Sequence, residues 1–129
     1  GITEHFVKKG HLPTPCHYQF CLGVPGGMSA TVEHLQYLVT HIPAGSTWSA
    51  FGVGRGHMPI LFAALALGGH IRVGMEDNVV YGKDKDGNKI MATNLMLVER
   101  AVSAVKVFGK EPATSAEARE ILGIKPLAR

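Results

Sequence analysis

Cysteine is scarce in this 129-residue chain, and Cys16 and Cys21 are the whole complement. Two thiols cannot build a disulfide framework or a four-cysteine zinc site. Reduced thiols in a cytoplasmic protein are therefore expected, and with no thiol-activating group beside them both are expected as small buried hydrophobes rather than a redox pair. Long apolar runs are missing too. The longest, residues 58–67, is about half of the roughly 20 residues that a membrane-spanning helix needs, and no basic stretch followed by a cleavage site opens the chain. Neither a membrane nor secretion is expected. Charge of one sign is also thin, because 13 Lys and Arg against 10 Asp and Glu leave a net +3. That is too dilute for the clustered basic face of a nucleic-acid binder, so no nucleic-acid partner is expected.

Glycine is plentiful, and the 16 glycines punctuate the chain instead of forming a linker. The apolar run 20–24 ends in Pro25, Gly26 and Gly27. A helix is predicted over 31–41, with Thr31 as N-cap, Glu33 favouring the helix dipole, and Val32, Leu35, Val39 and Ile42 on one face. A second strand is predicted over 47–53, ending in Gly52, Gly54 and Gly56, and its helix has Pro59 near the start and Gly68 and Gly69 beyond the end. A third, over 70–75, ends at Glu76, Asp77 and Asn78. After a polar loop with its tip at 83–89, a helix is predicted over 92–108 with Leu95, Val98, Val102 and Val105 as its buried stripe. Thr114 to Glu117 reads as a capping box that opens a last short helix through Leu122, stopped by Gly123.

Three strand-then-helix units with nearly continuous apolar strands predict an α/β protein whose parallel strands are buried on both faces. Three such strands leave edges and faces uncovered. An eight-unit barrel takes about 250 residues, so the chain is expected as one partial domain over 1–129, completed by further chain or another copy and not stable as an isolated monomer.

In parallel sheets the ligand site forms at the carboxyl ends of the strands. There the third strand is the most informative. Alternation points Arg72, Gly74 and Glu76 one way, and charges on a strand built for burial are costly unless they are paired or bind something. Two readings stand: an internal Arg72–Glu76 ion pair, or a carboxylate serving a metal or acting as a base beside a cation, with Asp77 and Asn78 adjoining. Gly52-x-Gly54-x-Gly56 departs from the dinucleotide fingerprint and reads as tight turning. Asp84, Asp86 and Asn88 lack the glutamate of a calcium loop. No two of the seven histidines share HxH or HxxxH spacing; His34 and His41 fall on a polar helix side, and His57 lies near the mouth.

The runs Phe20-Cys-Leu-Gly-Val-Pro-Gly-Gly-Met28, Thr47-Trp-Ser-Ala-Phe-Gly-Val-Gly-Arg55 and Gly69-His-Ile-Arg-Val-Gly-Met-Glu-Asp-Asn78 closely resemble the β-keto acid cleavage enzymes. The resemblance continues through 94–101 and 113–123. It implies the last three strands and helices of a TIM (βα)8 barrel and a zinc-dependent, retro-Claisen-type enzyme of lysine fermentation and related routes. Such an enzyme uses acetyl-CoA as co-substrate, turning a β-keto acid into acetoacetate and a new acyl-CoA. By the same resemblance Glu76 is a metal ligand, Arg72 and Asp77 are a catalytic pair, and two zinc-binding histidines belong to a part of the family's chain not present here. A homo-oligomer is implied. The contrasting expectation is an inactive α/β subunit or oligomerisation module lacking the upstream ligands.

Overall fold

A computed structural model describes residues 2–125. The strand β1 (His17–Leu22) alternates in exposure, because Tyr18, Phe20 and Leu22 turn inward while His17, Gln19 and Cys21 stay outside. Its parallel neighbour β2 (Thr47–Gly52) pairs in register from His17 opposite Thr47 to Leu22 opposite Gly52. The short β3 (His70–Ile71) adds to the other side of β2, giving the parallel order β1-β2-β3. The class is thus α/β with a parallel sheet, as the strand-then-helix rhythm predicts.

A short helix, α1 (Ile2–Lys8), which the sequence reading does not predict, precedes the sheet and has no buried residue. The helix α2 (Val32–Thr40) starts as predicted, with the Thr31 hydroxyl accepting from His34 N at 3.2 Å. The helix α3 (His57–Ala66) follows a 3₁₀ turn at Gly54–Gly56 and is apolar nearly all round. Both of its sides are used: Ile60, Ala63 and Ala64 join Leu22, Leu35, Trp48 and Ala50 under the sheet, while Leu61 and Leu65 meet Ala101 and Ala104 of α4 (Asn94–Val107). Leu22, Leu35 and Ile60 are fully buried, and each such side chain contributes roughly 1.5–3 kcal/mol. The last helix, α5 (Ser115–Leu122), has the predicted capping box between Thr114 and Glu117, and Gly123 ends it at a left-handed φ of 66°.

Five expectations are corrected. Among the described residues β2 is buried on both faces from Trp48 to Gly52, but β1 is covered on one only: the mostly polar face carrying His17, Gln19, Cys21, Ser49, Phe51 and Arg72 leaves His17, Gln19 and Cys21 exposed, a pattern hidden by their apolar neighbours. Cys21 is exposed on that face and Cys16 is half-buried, so neither is a core hydrophobe. The third strand stops at Ile71 rather than 75, since Asp77 N and Asn78 N both donate to Gly74 O at 3.2 Å and turn the chain. The polar loop is an antiparallel hairpin, β4 (Val80–Lys83) with β5 (Lys89–Met91), whose tip is closed by backbone N–H groups of Asp86 and Asn88 donating to the Asp84 carboxylate. The buried stripe of α4 is Leu97, Ala101 and Ala104, with Val105 of the predicted stripe packed against it, whereas Leu95 and Val98 face outward at 67% and 47% exposure. The latter stripe follows the same helical spacing one residue further round. Among the described residues no helix is long and apolar enough to cross a membrane.

Candidate functional site

Arg72 leaves β3 at the sheet edge, and its side chain lies back across the polar face. The guanidinium carbon stands 4.4 Å from the centroid of the Phe51 ring on the middle strand. A cation over an aromatic face is stabilised by the ring quadrupole. From that platform Nη1 donates to Gln19 Oε1 on β1 at 3.2 Å, so one side chain spans all three strands. Gln19 in turn donates to the Ser49 hydroxyl at 3.4 Å, and His17 Nε2 lies 3.1 Å from the same hydroxyl. Burial lowers the pKa of His17 from its ordinary 6.5, and neighbouring His70 adds to this.

The other end of Arg72 grips Asp77. Nε donates to Oδ2 and Nη2 to Oδ1, both at 3.1 Å, which is the side-on fork that matches a carboxylate. Nη2 also donates to Glu76 Oε2 at 2.6 Å. A regular strand would send Asp77 to the opposite face. The turn at Gly74 removes that obstacle and brings both carboxylates to one guanidinium. Their settings differ sharply: the Asp77 side chain is 7% exposed and that of Glu76 84%. The Arg72–Glu76 ion pair that the sequence left as one alternative is therefore present, and Arg72 pairs with the adjoining Asp77 as well.

The turn is pinned at both ends. Met75 N donates to Asn94 Oδ1 at the start of α4, at 2.8 Å. Asn78 is buried, with Oδ1 accepting from Gly54 N at 2.7 Å and Nδ2 donating to Gly52 O at 2.9 Å and to His57 Nδ1 at 3.0 Å. Asn78 thus ties the turn after β3 to the end of β2. Sequence reasoning placed Asn78 at the strand end but missed this role, and it missed Gln19, Ser49 and the burial of His57. An asparagine directly after an Arg/Glu/Asp strand end was the available signal.

The Asn78 contacts fix the His57 tautomer. Gly54 N–H can only donate, so it faces Oδ1. The amide nitrogen therefore faces His57, and Nδ1 must accept. Burial lowers the His57 pKa from 6.5, the Arg100 charge acts the same way, and Asp77 opposes them. Unfolding then takes up a proton below pH 6.5, so stability is full above that value and falls as pH drops beneath it. Urea midpoints measured from pH 8 to pH 5 should show this decline, and His57→Asn, whose amide oxygen can replace Nδ1, should shrink it. An unchanged pH slope in that variant would exclude His57 as its source.

A zinc ion needs three protein ligands in a catalytic site, and among the described residues no group of three His, Cys, Asp or Glu could hold a metal ion. Exposed Glu76 fits one ligand position by its donor chemistry. The count does not make a whole site.

Comparison with known proteins covers nearly the whole chain. Residues 2–124 match the family model described as beta-keto acid cleavage enzyme. The chain is 45% identical over 123 residues to the 3-keto-5-aminohexanoate cleavage enzyme of Acetoanaerobium sticklandii, covering 95% of this chain and 44% of that protein. The enzyme of the same name from Fusobacterium nucleatum is 42% identical over 128 residues, covering 97% and 45%. The 3-dehydrocarnitine:acetyl-CoA trimethylamine transferase of Rhizobium meliloti is 35% identical over 121 residues, covering 94% and 39%. The chain spans less than half the length of each of these relatives. With a match over nearly all its residues, the chain belongs to the beta-keto acid cleavage enzyme family.

Proposed function

We propose that the protein carrying this chain cleaves a β-keto acid in an acetyl-CoA-dependent, retro-Claisen-type transfer, releasing acetoacetate and a new acyl-CoA. The observation that carries this reading is a nearly buried carboxylate, Asp77, held by the Arg72 fork at the carboxyl end of a parallel sheet, with exposed Glu76 beside it. The names of two further relatives, a 3-oxoadipate:acetyl-CoA acetyltransferase and a 3,5-dioxohexanoate:acetyl-CoA acetone transferase, support the substrate class. Asp77 removes the proton from the carbon between keto group and carboxylate, and Arg72 orients it and stabilises the negative charge that develops. Glu76 is one ligand of a zinc ion completed by two histidines from outside this chain. Zinc held there would polarise the keto oxygen as a Lewis acid.

In this reading residues 1–129 are one partial domain, the last three strand–helix units of a (βα)8 barrel in a cytoplasmic homo-oligomer. The free pairing edges of β1 and β3, each bonded only to β2 among the described residues, are where neighbouring barrel strands would add. The test is to supply the full-length protein with acetyl-CoA and a panel of β-keto acids and to follow acetoacetate and new thioesters. Failure to form either across the panel overturns the reading. Metal analysis tests Glu76 separately: after dialysis, Glu76→Gln in the full-length protein should lose zinc and turnover together, and undiminished zinc would remove Glu76 from the ligand set.

A further inference from the structure

Arg100, on α4, is held by two contacts that leave its best recognition edge unused. Nη1 donates to Tyr81 O at 2.6 Å, and the Tyr81 ring covers the guanidinium face with 4.0 Å from Cζ to the centroid. Nε and Nη2 are buried and have no hydrogen-bond partner. Those two groups lie side by side along one edge of the guanidinium, the same edge by which Arg72 grips Asp77. His57 Nε2 is likewise buried without a partner. With Nδ1 accepting from Asn78, neutral His57 carries its proton on Nε2, so all three unmatched atoms are donors.

Buried donors with no acceptor cost about 1–3 kcal/mol each, and more when charged, so native structures match them. The acceptor needed here is specific. It must be acceptor-only, carry about one negative charge to balance one buried guanidinium, and offer two oxygens spaced for parallel N–H groups. A phosphate dianion would bring charge that this single cation leaves uncompensated. Asp77 already fills the Arg72 fork, and among the described residues no carboxylate pairs with Arg100.

We infer that the free Nε–Nη2 edge of Arg100 is a binding site for a carboxylate supplied from outside residues 2–125. The carboxylate is either an Asp or Glu side chain of an adjoining polypeptide segment or that of a free small acid. The inference is independent of the proposed chemistry, because Arg100 makes no contact with Arg72, Glu76 or Asp77 among the hydrogen bonds and ion pairs of the described residues.

An experimental structure of the full-length protein, at a resolution that separates a carboxylate from water, is the first test. Two oxygens of one carboxylate facing Nε and Nη2 are expected. Continuous density to a side chain assigns the polypeptide source, and detached density assigns the free acid. Ordered water alone, or a backbone carbonyl, overturns the inference. Thermal melts in sodium acetate against sodium chloride at equal ionic strength give the second test. Arg100→Lys keeps the charge and can reach Tyr81 O but lacks the paired N–H edge, so it should melt about 5 °C lower. If acetate raises the wild-type midpoint and not that of the Lys variant, the acid is free; if acetate leaves a more stable wild type unmoved, the carboxylate is built in. A Lys variant melting with the wild type in both salts overturns the site. If that variant fails to fold, the wild-type structure decides.

Discussion

Asp77→Asn in the full-length protein should lower turnover by roughly 10² to 10⁴, the span of a general base, while zinc content and substrate affinity stay near the wild-type values. The expectation rests on how the residue is held. Its position comes from the turn at Gly74, which Asn94 pins through Met75 N and Asn78 pins through Gly52, Gly54 and His57. None of those bonds uses the Asp77 side chain, so an asparagine there inherits the place and loses the ability to take a proton. The neutral amide also turns one donor group toward Arg72 where both oxygens had accepted. Steady-state kinetics with metal analysis separates the outcomes. Turnover retained with zinc lost would make Asp77 the ligand and exchange its role with Glu76. If neither changes, the Arg72–Asp77 pair is a structural ion pair and the catalytic assignment fails.

Gly52→Ala should destabilise the fold by about 3 kcal/mol, the upper range for forced overpacking. A Cβ at Gly52 would run into the carbonyl of Gly56 and come within 3.1 Å of His57 N. These are backbone atoms of the 3₁₀ turn that opens α3, and backbone cannot swing aside as a long side chain can. Gly52 O is also an Asn78 partner, so any shift passes to the residue beside Asp77. Gly54→Ala is the control. Its φ is 63° with nothing within 4 Å of an added Cβ, so only the left-handed penalty of about 1–2 kcal/mol applies. Urea unfolding of both variants checks the contrast, and a Gly52→Ala midpoint no lower than that of Gly54→Ala would show that the turn yields.

Much of the local order was legible in the residues. Thr31, Thr114 with Glu117, and Gly123 act through bonds spanning only a few positions, so their chemistry is complete within the local sequence. The β2 strand and the tight turn through Gly52, Gly54 and Gly56 were readable for the same reason. Elsewhere local pattern misled. Val98 and Leu97 stand on adjoining stripes of α4, and which stripe is buried depends on where α3 lies, a fact held in no window of α4 itself.

The site divides along the same line. Sequence by itself put Arg72 and Glu76 forward as groups in need of partners, because charges on an otherwise apolar run are costly unless paired, and the family resemblance added Asp77. It also determined the family, through motifs kept in order along the chain. Only the tertiary structure decided which carboxylate is buried and which faces outward, since that follows from the turn at Gly74 and from Asn78 reaching across to β2. It alone joined Arg72 to Phe51 and Gln19, residues 21 and 53 positions away. Contacts at such separations depend on strand register and on the path of the intervening helices, and strand pairing brings together residues that carry no mark of one another in the chain.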